Sequence, residues 1–156
     1  MVPIKKGDFF QIVPGTVHAI KAGTVILETQ QNSDITYRLY DYGRLQNGKP
    51  RELHINKSID VITCPQKLAV PERKTKVIRD GEIEELISCD FYTVDRIKVN
   101  GSSKIEQAEP FTIMSVIEGD GKLDGKRIKK GDHFILPNGY GAYTLEGNLS
   151  CIASHI

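Results

Sequence analysis

The sequence predicts an all-β protein of the jelly-roll type, and three observations carry that expectation. Short runs of Val, Ile, Thr, Tyr and Phe fill much of the chain. Turn-forming pairs punctuate them at Asp80-Gly81, Asn100-Gly101, Gly119-Asp120-Gly121, Asp124-Gly125, Asn138-Gly139 and Gly147-Asn148. This alternation is the mark of antiparallel hairpins, hence of a sandwich or barrel. The third observation is an internal repeat. Lys5-Lys6-Gly7-Asp8-Phe9-Phe10 returns as Lys129-Lys130-Gly131-Asp132-His133-Phe134. Each copy continues with apolar residues, a Pro (Pro14, Pro137) and a Gly (Gly15, Gly139). A Gly-Asp turn into a strand and a Pro-Gly exit from it describe one β-unit, used twice.

The elements come in order along the chain. A strand is expected to open at residue 9. Residues 24–30 alternate, with Ile26, Glu28 and Gln30 on one face. Residues 36–40 alternate too, with Thr36, Arg38 and Tyr40 together. A hairpin around 31–35 would set Glu28 opposite Arg38. One short helix is expected over 57–62, with Asn56 as its N-cap and Cys64-Pro65 closing it. Residues 65–75 hold Pro65, Pro71 and several charges, and read as a linker. Residues 76–156 then carry about eight strands, at 76–79, 83–88, 91–99, 103–107, 111–117, 126–129, 133–136 and 142–154, the last split at Gly147. Residues 1–64 are poorer in strands. We expect them to be the end of a larger β-unit, whose open N-terminal strand edges could support a homo-oligomer.

Composition limits the partners. The chain has 156 residues, with 21 Lys+Arg against 20 Asp+Glu for a net charge of +1. A balance so near zero gives no electrostatic case for nucleic acid or an anionic membrane. The cluster Lys126-Arg127-Ile128-Lys129-Lys130 straddles an expected strand and reads as a solvated edge. No apolar run approaches the ~18 residues of a membrane span, and the N-terminus has no signal-peptide core. The expected location is cytoplasmic. Cys64, Cys89 and Cys151 form no CxxC pair and read as buried free thiols.

Residues 7–18, Gly7-Asp8-Phe9-Phe10-Gln11-Ile12-Val13-Pro14-Gly15-Thr16-Val17-His18, resemble the Gly-Asp-x-Phe-x-Ile-x-Pro-Gly-x-x-His motif of the cupin superfamily. Two later runs narrow the resemblance: Glu28-Thr29-Gln30-Gln31-Asn32-Ser33-Asp34-Ile35-Thr36-Tyr37-Arg38-Leu39-Tyr40-Asp41-Tyr42, then Arg51-Glu52-Leu53-His54-Ile55. In this order they resemble type I mannose-6-phosphate isomerases, strongly over 1–64 and more loosely over 65–156. The resemblance implies a fold: the end of a catalytic cupin unit (1–64, incomplete), a linker (65–75) and a second, metal-free jelly roll (76–156). It also implies an activity, the interconversion of mannose 6-phosphate and fructose 6-phosphate, with zinc as cofactor and a small sugar phosphate as partner. His18 matches a zinc ligand and Arg38 a catalytic arginine. Glu28 and Asp34 match acidic residues near the active site. The remaining zinc ligands are expected upstream of this chain.

The chemistry suits those residue types. Moving a proton between C1 and C2 needs a base near both carbons and an electrophile for the oxygens, and zinc can polarise them as a Lewis acid. One histidine does not define a zinc site, which takes three or four protein ligands. Arg38 is permanently cationic, so it can hold enediolate charge and is a poor proton acceptor. Glu28 or Asp34 is the candidate base. Arg44, Lys49 and Arg51 are candidate phosphate contacts on a loop, although a solvated loop is the simpler reading. His54 and His133 read as structural, and His155 as a disordered terminus. Two other functions are open: a non-catalytic cupin that binds a sugar or partner, and an iron-type cupin oxygenase. The second would want two His and a carboxylate on one metal. The Gln-Gln-x-Ser-Asp-x-Thr-Tyr-Arg run argues against it.

Overall fold

In the computed structural model, which describes residues 1–33, 35–66 and 69–156, strands longer than two residues begin only at residue 74. The chain divides into two compact units, Met1–Val70 and Pro71–Ile156.

The second unit is built from seven antiparallel strands: β3 (Lys74–Ile78), β4 (Gly81–Ser88), β5 (Thr93–Ile105), β6 (Thr112–Leu123), β7 (Lys126–Lys129), β8 (His133–Leu136) and β9 (Tyr143–His155). (A short hairpin, β1 at Leu45–Gln46 with β2 at Lys49–Pro50, and a helix, α1 at Ile55–Val61, precede them in the first unit.) They are ordered β3-β4-β5-β9-β6-β7, and β8 also pairs with β6. Every pairing is antiparallel. The inward faces meet in one core. Met114, Val116, Leu136, Leu145, Leu149 and Cys151 are among its buried members. Alternation explains the choice, since Tyr143, Leu145, Leu149, Cys151 and Ala153 fall at every second place on β9.

The strand reading for residues 76–156 needs one systematic correction. Asn100-Gly101, Gly119-Asp120-Gly121 and Gly147-Asn148 are not hairpin turns. They lie inside β5, β6 and β9, each a continuous strand of 12 or 13 residues. Gly147 stands opposite Gly101 on one side and Gly121 on the other. At Gly147 the backbone has φ +119°, and a Cβ would lie 2.6 Å from the Asp120 carbonyl oxygen. Three aligned glycines thus let neighbouring strands bend together where side chains would collide. Of the turn pairs read from the sequence, Asp124-Gly125, with Asp124 at φ +46°, and Asp80-Gly81 at the start of β4 do reverse the chain between paired strands.

The first unit differs. Its regular structure among the described residues is a two-residue hairpin, β1 (Leu45–Gln46) with β2 (Lys49–Pro50), and one helix, α1 (Ile55–Val61). A single bridge joins Gln11 to Ala69. The strands expected from residue 9, over 24–30 and over 36–40 are absent among the described residues. A strand is stable only beside a partner, and apart from the bridge at Gln11 none of these segments has one among the described residues. Their apolar side chains are accordingly open: Phe10, Ile12, Val17, Val25, Ile26 and Leu27 are all exposed. The strand edges expected to support an oligomer are therefore not formed among the described residues. The helix starts earlier than expected. His54 occupies the N-cap, because its carbonyl accepts the first helical bond from the Ser58 N–H (2.8 Å).

Candidate functional site

The repeat noted in the sequence recurs in three dimensions. In the first copy the Lys5 N–H donates to Asp8 Oδ2 (2.8 Å) and the Asp8 N–H to the Lys5 carbonyl (3.2 Å). In the second copy Lys129 donates to Asp132 Oδ2 (2.8 Å) and Asp132 to the Lys129 carbonyl (3.0 Å). Gly7 and Gly131 adopt matching φ values, +91° and +93°. The exit turns also match: Thr16 donates to the Val13 carbonyl and Tyr140 to that of Pro137, with Gly15 and Gly139 at positive φ. Counting from these glycines, His18 corresponds to Ala142, which has no group able to bind a metal.

The Gly15 turn is pinned onto the end of α1. Thr63 donates its N–H to the Gly15 carbonyl (3.1 Å), and Gln66 Nε2 donates to the same oxygen (2.9 Å). A Cβ on Gly15 would meet the Val61 carbonyl at 2.6 Å, so only glycine allows this approach. His18 comes next, exposed, with its Nδ1 2.9 Å from the Thr16 carbonyl. A bond there leaves Nε2 as the ring atom directed elsewhere.

Arg38 is half-buried, and its backbone is held from both sides. The His54 N–H donates to the Arg38 carbonyl (2.8 Å), and the Arg38 N–H donates to His54 Nδ1 (3.3 Å). The acceptor role of Nδ1 puts the His54 proton on Nε2. Tyr37 packs against the His54 ring at 5.8 Å, and Lys57 sits over the Tyr37 ring at 5.9 Å. Glu28 is exposed and forms no ion pair with Arg38, so the expected cross-strand pair is not made. Asp34 lies outside the described residues. His18, Glu28 and Arg38 are thus not brought into one hydrogen-bonded cluster.

The strongest electrostatic feature of this unit was not singled out from the sequence. Asp41 is buried and accepts from Arg44 Nη2 (2.7 Å) and Arg51 Nε (2.6 Å), with a further bond from Arg51 Nη2. The bond from Arg51, then the one from Arg44, hold its carboxyl down at about 2 against the partial opposition of burial. Arg51 in turn rises above its ordinary value through its bond to Asp41. Arg51 is therefore no free loop residue, and both candidate phosphate arginines share one carboxylate. The available signal was an acid inside Leu39-Tyr40-Asp41-Tyr42 with arginines three and ten places on. A buried acid needs such partners.

Among the described residues no group of three or more His, Cys, Asp or Glu is placed to hold a metal ion. His18 with its neighbours does not make a zinc site. In the second unit His133 Nδ1 bonds Ser115 Oγ (2.8 Å). His155 is ordered in β9, contrary to the expected loose end, with Nε2 3.3 Å from Asp95 Oδ2. The cysteines divide: Cys64 is exposed, Cys89 half-buried and Cys151 buried, so the expectation of three buried thiols holds for one.

Comparison with known proteins agrees with this architecture. Residues 82–156 match the family described as mannose-6-phosphate isomerase, cupin domain. The chain is 48% identical over 163 residues to mannose-6-phosphate isomerase ManA of Bacillus subtilis, covering 99% of this chain and 51% of that protein. The chain is similar to mannose-6-phosphate isomerases along nearly its whole length. It is also 42% identical to the mannose-6-phosphate isomerase of Streptococcus mutans, over 99% of this chain and 50% of that one. The crystal structure of the Bacillus subtilis isomerase superposes with a TM-score of 0.75 at 41% identity, over 80% of this chain and 41% of that one. The chain spans about half the length of the curated relatives it matches. No described helix is long and apolar enough to cross a membrane.

Proposed function

We propose that this chain forms part of an aldose–ketose isomerase that interconverts mannose 6-phosphate and fructose 6-phosphate. The observation that carries the reading is the 48% identity to a mannose-6-phosphate isomerase across nearly the whole chain. In this reading residues 1–64 are the end of the catalytic cupin unit and 76–156 a second jelly roll without metal. Zinc, when bound in the whole enzyme, supplies a Lewis acid for the substrate oxygens. His18 offers one ligand through the ring nitrogen left free by its Thr16 contact. The others come from outside the described residues.

The chain's own residues have separate tasks. In the aldose-to-ketose direction a base removes the C2 proton and returns it to C1, while the O2 hydroxyl proton passes to O1. Glu28 or Asp34 is that base. Arg38 holds the enediolate charge as it develops, and its doubly anchored backbone keeps the guanidinium on a fixed stem. Lys49 and the net positive charge of Arg44, Arg51 and Asp41 face the phosphate. A non-catalytic cupin is the second reading, favoured for the isolated chain because the described donors assemble no metal site.

The test is a chimera carrying the first half of Bacillus subtilis ManA ahead of this chain, supplied with zinc and assayed for fructose 6-phosphate. Turnover that falls roughly 10²–10³-fold on Arg38→Lys is expected, the usual loss when one stabilising donor is displaced. The isolated chain should show neither stoichiometric zinc nor measurable turnover. Turnover indifferent to Arg38→Lys would remove Arg38 from the mechanism, and zinc-loaded turnover by the chain alone would refute the division of the site.

A further inference from the structure

The last residue of β9 is a histidine set between two carboxylates. His155 Nε2 lies 3.3 Å from Asp95 Oδ2, on the neighbouring strand β5. His155 Nδ1 lies 3.8 Å from Glu109 Oε2, in the segment 106–111 that joins β5 to β6. The ring is 16% exposed, and its Nδ1 is closed to solvent with no hydrogen-bond partner. Water cannot serve that atom. The group facing it is Glu109, too far away as it stands for a hydrogen bond. The backbone of the segment is anchored by Gln107, whose Nε2 donates to the carbonyls of Glu109 (3.2 Å), Leu136 (3.2 Å) and Pro137 (3.3 Å). The part left free to move is the Glu109 side chain, which is 42% exposed.

The number of protons on the ring decides what it can hold. A neutral imidazole has one N–H and one lone pair. Either tautomer sets that lone pair against a carboxylate: Glu109 when the proton is on Nε2, Asp95 when it is on Nδ1. The imidazolium alone donates to both, through two charge-assisted bonds. The other groups around the ring do not replace it. Glu106 lines the same cavity, and the lining carries no lysine or arginine. Glu85 of β4 acts on Asp95 and is itself paired with Lys74 (3.6 Å). Thr112 of β6 adds a hydroxyl, and burial pushes the Tyr143 phenol of β9 upward, so it stays neutral. Exposed Ile156 follows His155 in the chain.

We propose that His155 is a proton-operated latch: protonation of the ring draws the Glu109 carboxylate onto Nδ1 and ties segment 106–111 to the ends of β5 and β9. Loss of the proton releases Glu109, while Asp95 keeps its bond from Nε2. Imidazole is the side chain that ordinarily changes charge between about pH 5 and 8. The latch is therefore closed on the acid side of the ring's titration and opens as pH rises through it. The closed state has an acid limit as well. Burial, the largest influence on Asp95, raises its carboxyl above the ordinary 3.8, and protonation there removes one of the two acceptors.

The test is an NMR titration of the 156-residue chain from pH 5 to 8, reading the His155 ring and the amides of 106–111. The amides should follow the ring with a shared midpoint. Glu109→Ala should lower the ring's proton affinity about threefold, the loss of one half-exposed charged partner. The same variant should leave the amides of 106–111 indifferent to pH. His155→Gln should also abolish their response, while the His133 ring titrates as before. A His155 ring that keeps one charge state across the range would overturn the proposal. So would amides that ignore its titration, or a midpoint unmoved in Glu109→Ala. No step needs zinc or turnover, so the outcome is separable from that of the isomerase reading.

Discussion

The two Lys-Lys-Gly-Asp turns have matching backbones, yet they lead into different structures. After Asp132 the chain enters β8, paired residue by residue with β6 from Thr112↔Leu136 to Ser115↔His133. After Asp8 a similar apolar run makes one bridge at Gln11 and leaves Phe10 and Ile12 exposed. The turn is a local property, set by a glycine at positive φ and an aspartate that reaches back three residues. The strand is not local. It exists where a neighbour supplies ladder bonds and an apolar face to cover. The same contrast separates the two units: one carries the residues matched to catalysis, the other carries the ladder and the core.

The largest test of that contrast is thiol chemistry. Burial pushes the Cys151 thiol from 9.0 up to about 12. Its thiolate population at neutral pH is therefore roughly a thousandfold below that of an ordinary thiol. Iodoacetamide should label exposed Cys64 in the native protein and reach Cys151 only on unfolding. Mass spectrometry reads both; native labelling of Cys151 would mean that the core is open. Next in size is packing. Leu145 has 0% exposure and Val25 has 99%. Leu145→Ala should cost about 3 kcal/mol in urea unfolding of the second unit, and Val25→Ala less than about 0.5 kcal/mol. A smaller effect is expected at the bend. Gly147→Ala should cost about 2 kcal/mol, since its methyl meets the Asp120 carbonyl and φ +119° is strained for alanine.

Residues 126–129 and 133–136 were legible to the residue, because short strands between Gly-Asp or Asp-Gly turns carry their own boundaries. The bends at Gly101, Gly121 and Gly147 were not. A glycine that lets two backbones approach looks, in one sequence, like a glycine that reverses the chain. The strands over 24–30 and 36–40 failed for want of a neighbour: alternation states which face would be covered, not that a cover is present. His18 and Arg38 are proposed as site residues only through the motif they stand in. Asp41 was passed over because its significance lies in arginines that the fold, not the spacing, brings to it.

The smallest expected effect discriminates best, because it has opposite sign in the two units. Asp41 holds its carboxyl at about 2, below the ordinary 3.8. The folded state favours the ionised form, so its contribution is present above about pH 4 and is lost as pH falls toward 2. Asp95 is shifted the other way, upward, chiefly by burial and against the pull of His155. There the folded state favours the proton. Its contribution is complete below the ordinary 3.8 and is lost as pH rises through the shifted value. Amide exchange measured by NMR between pH 2 and 6 should show protection around Arg44 and Arg51 falling with acid. Above about pH 3.8, the ends of β5 and β9 should lose protection as pH rises. Asp41→Asn should abolish only the first response and Asp95→Asn only the second. A common response in both units would mean that neither carboxylate governs its surroundings as its partners indicate.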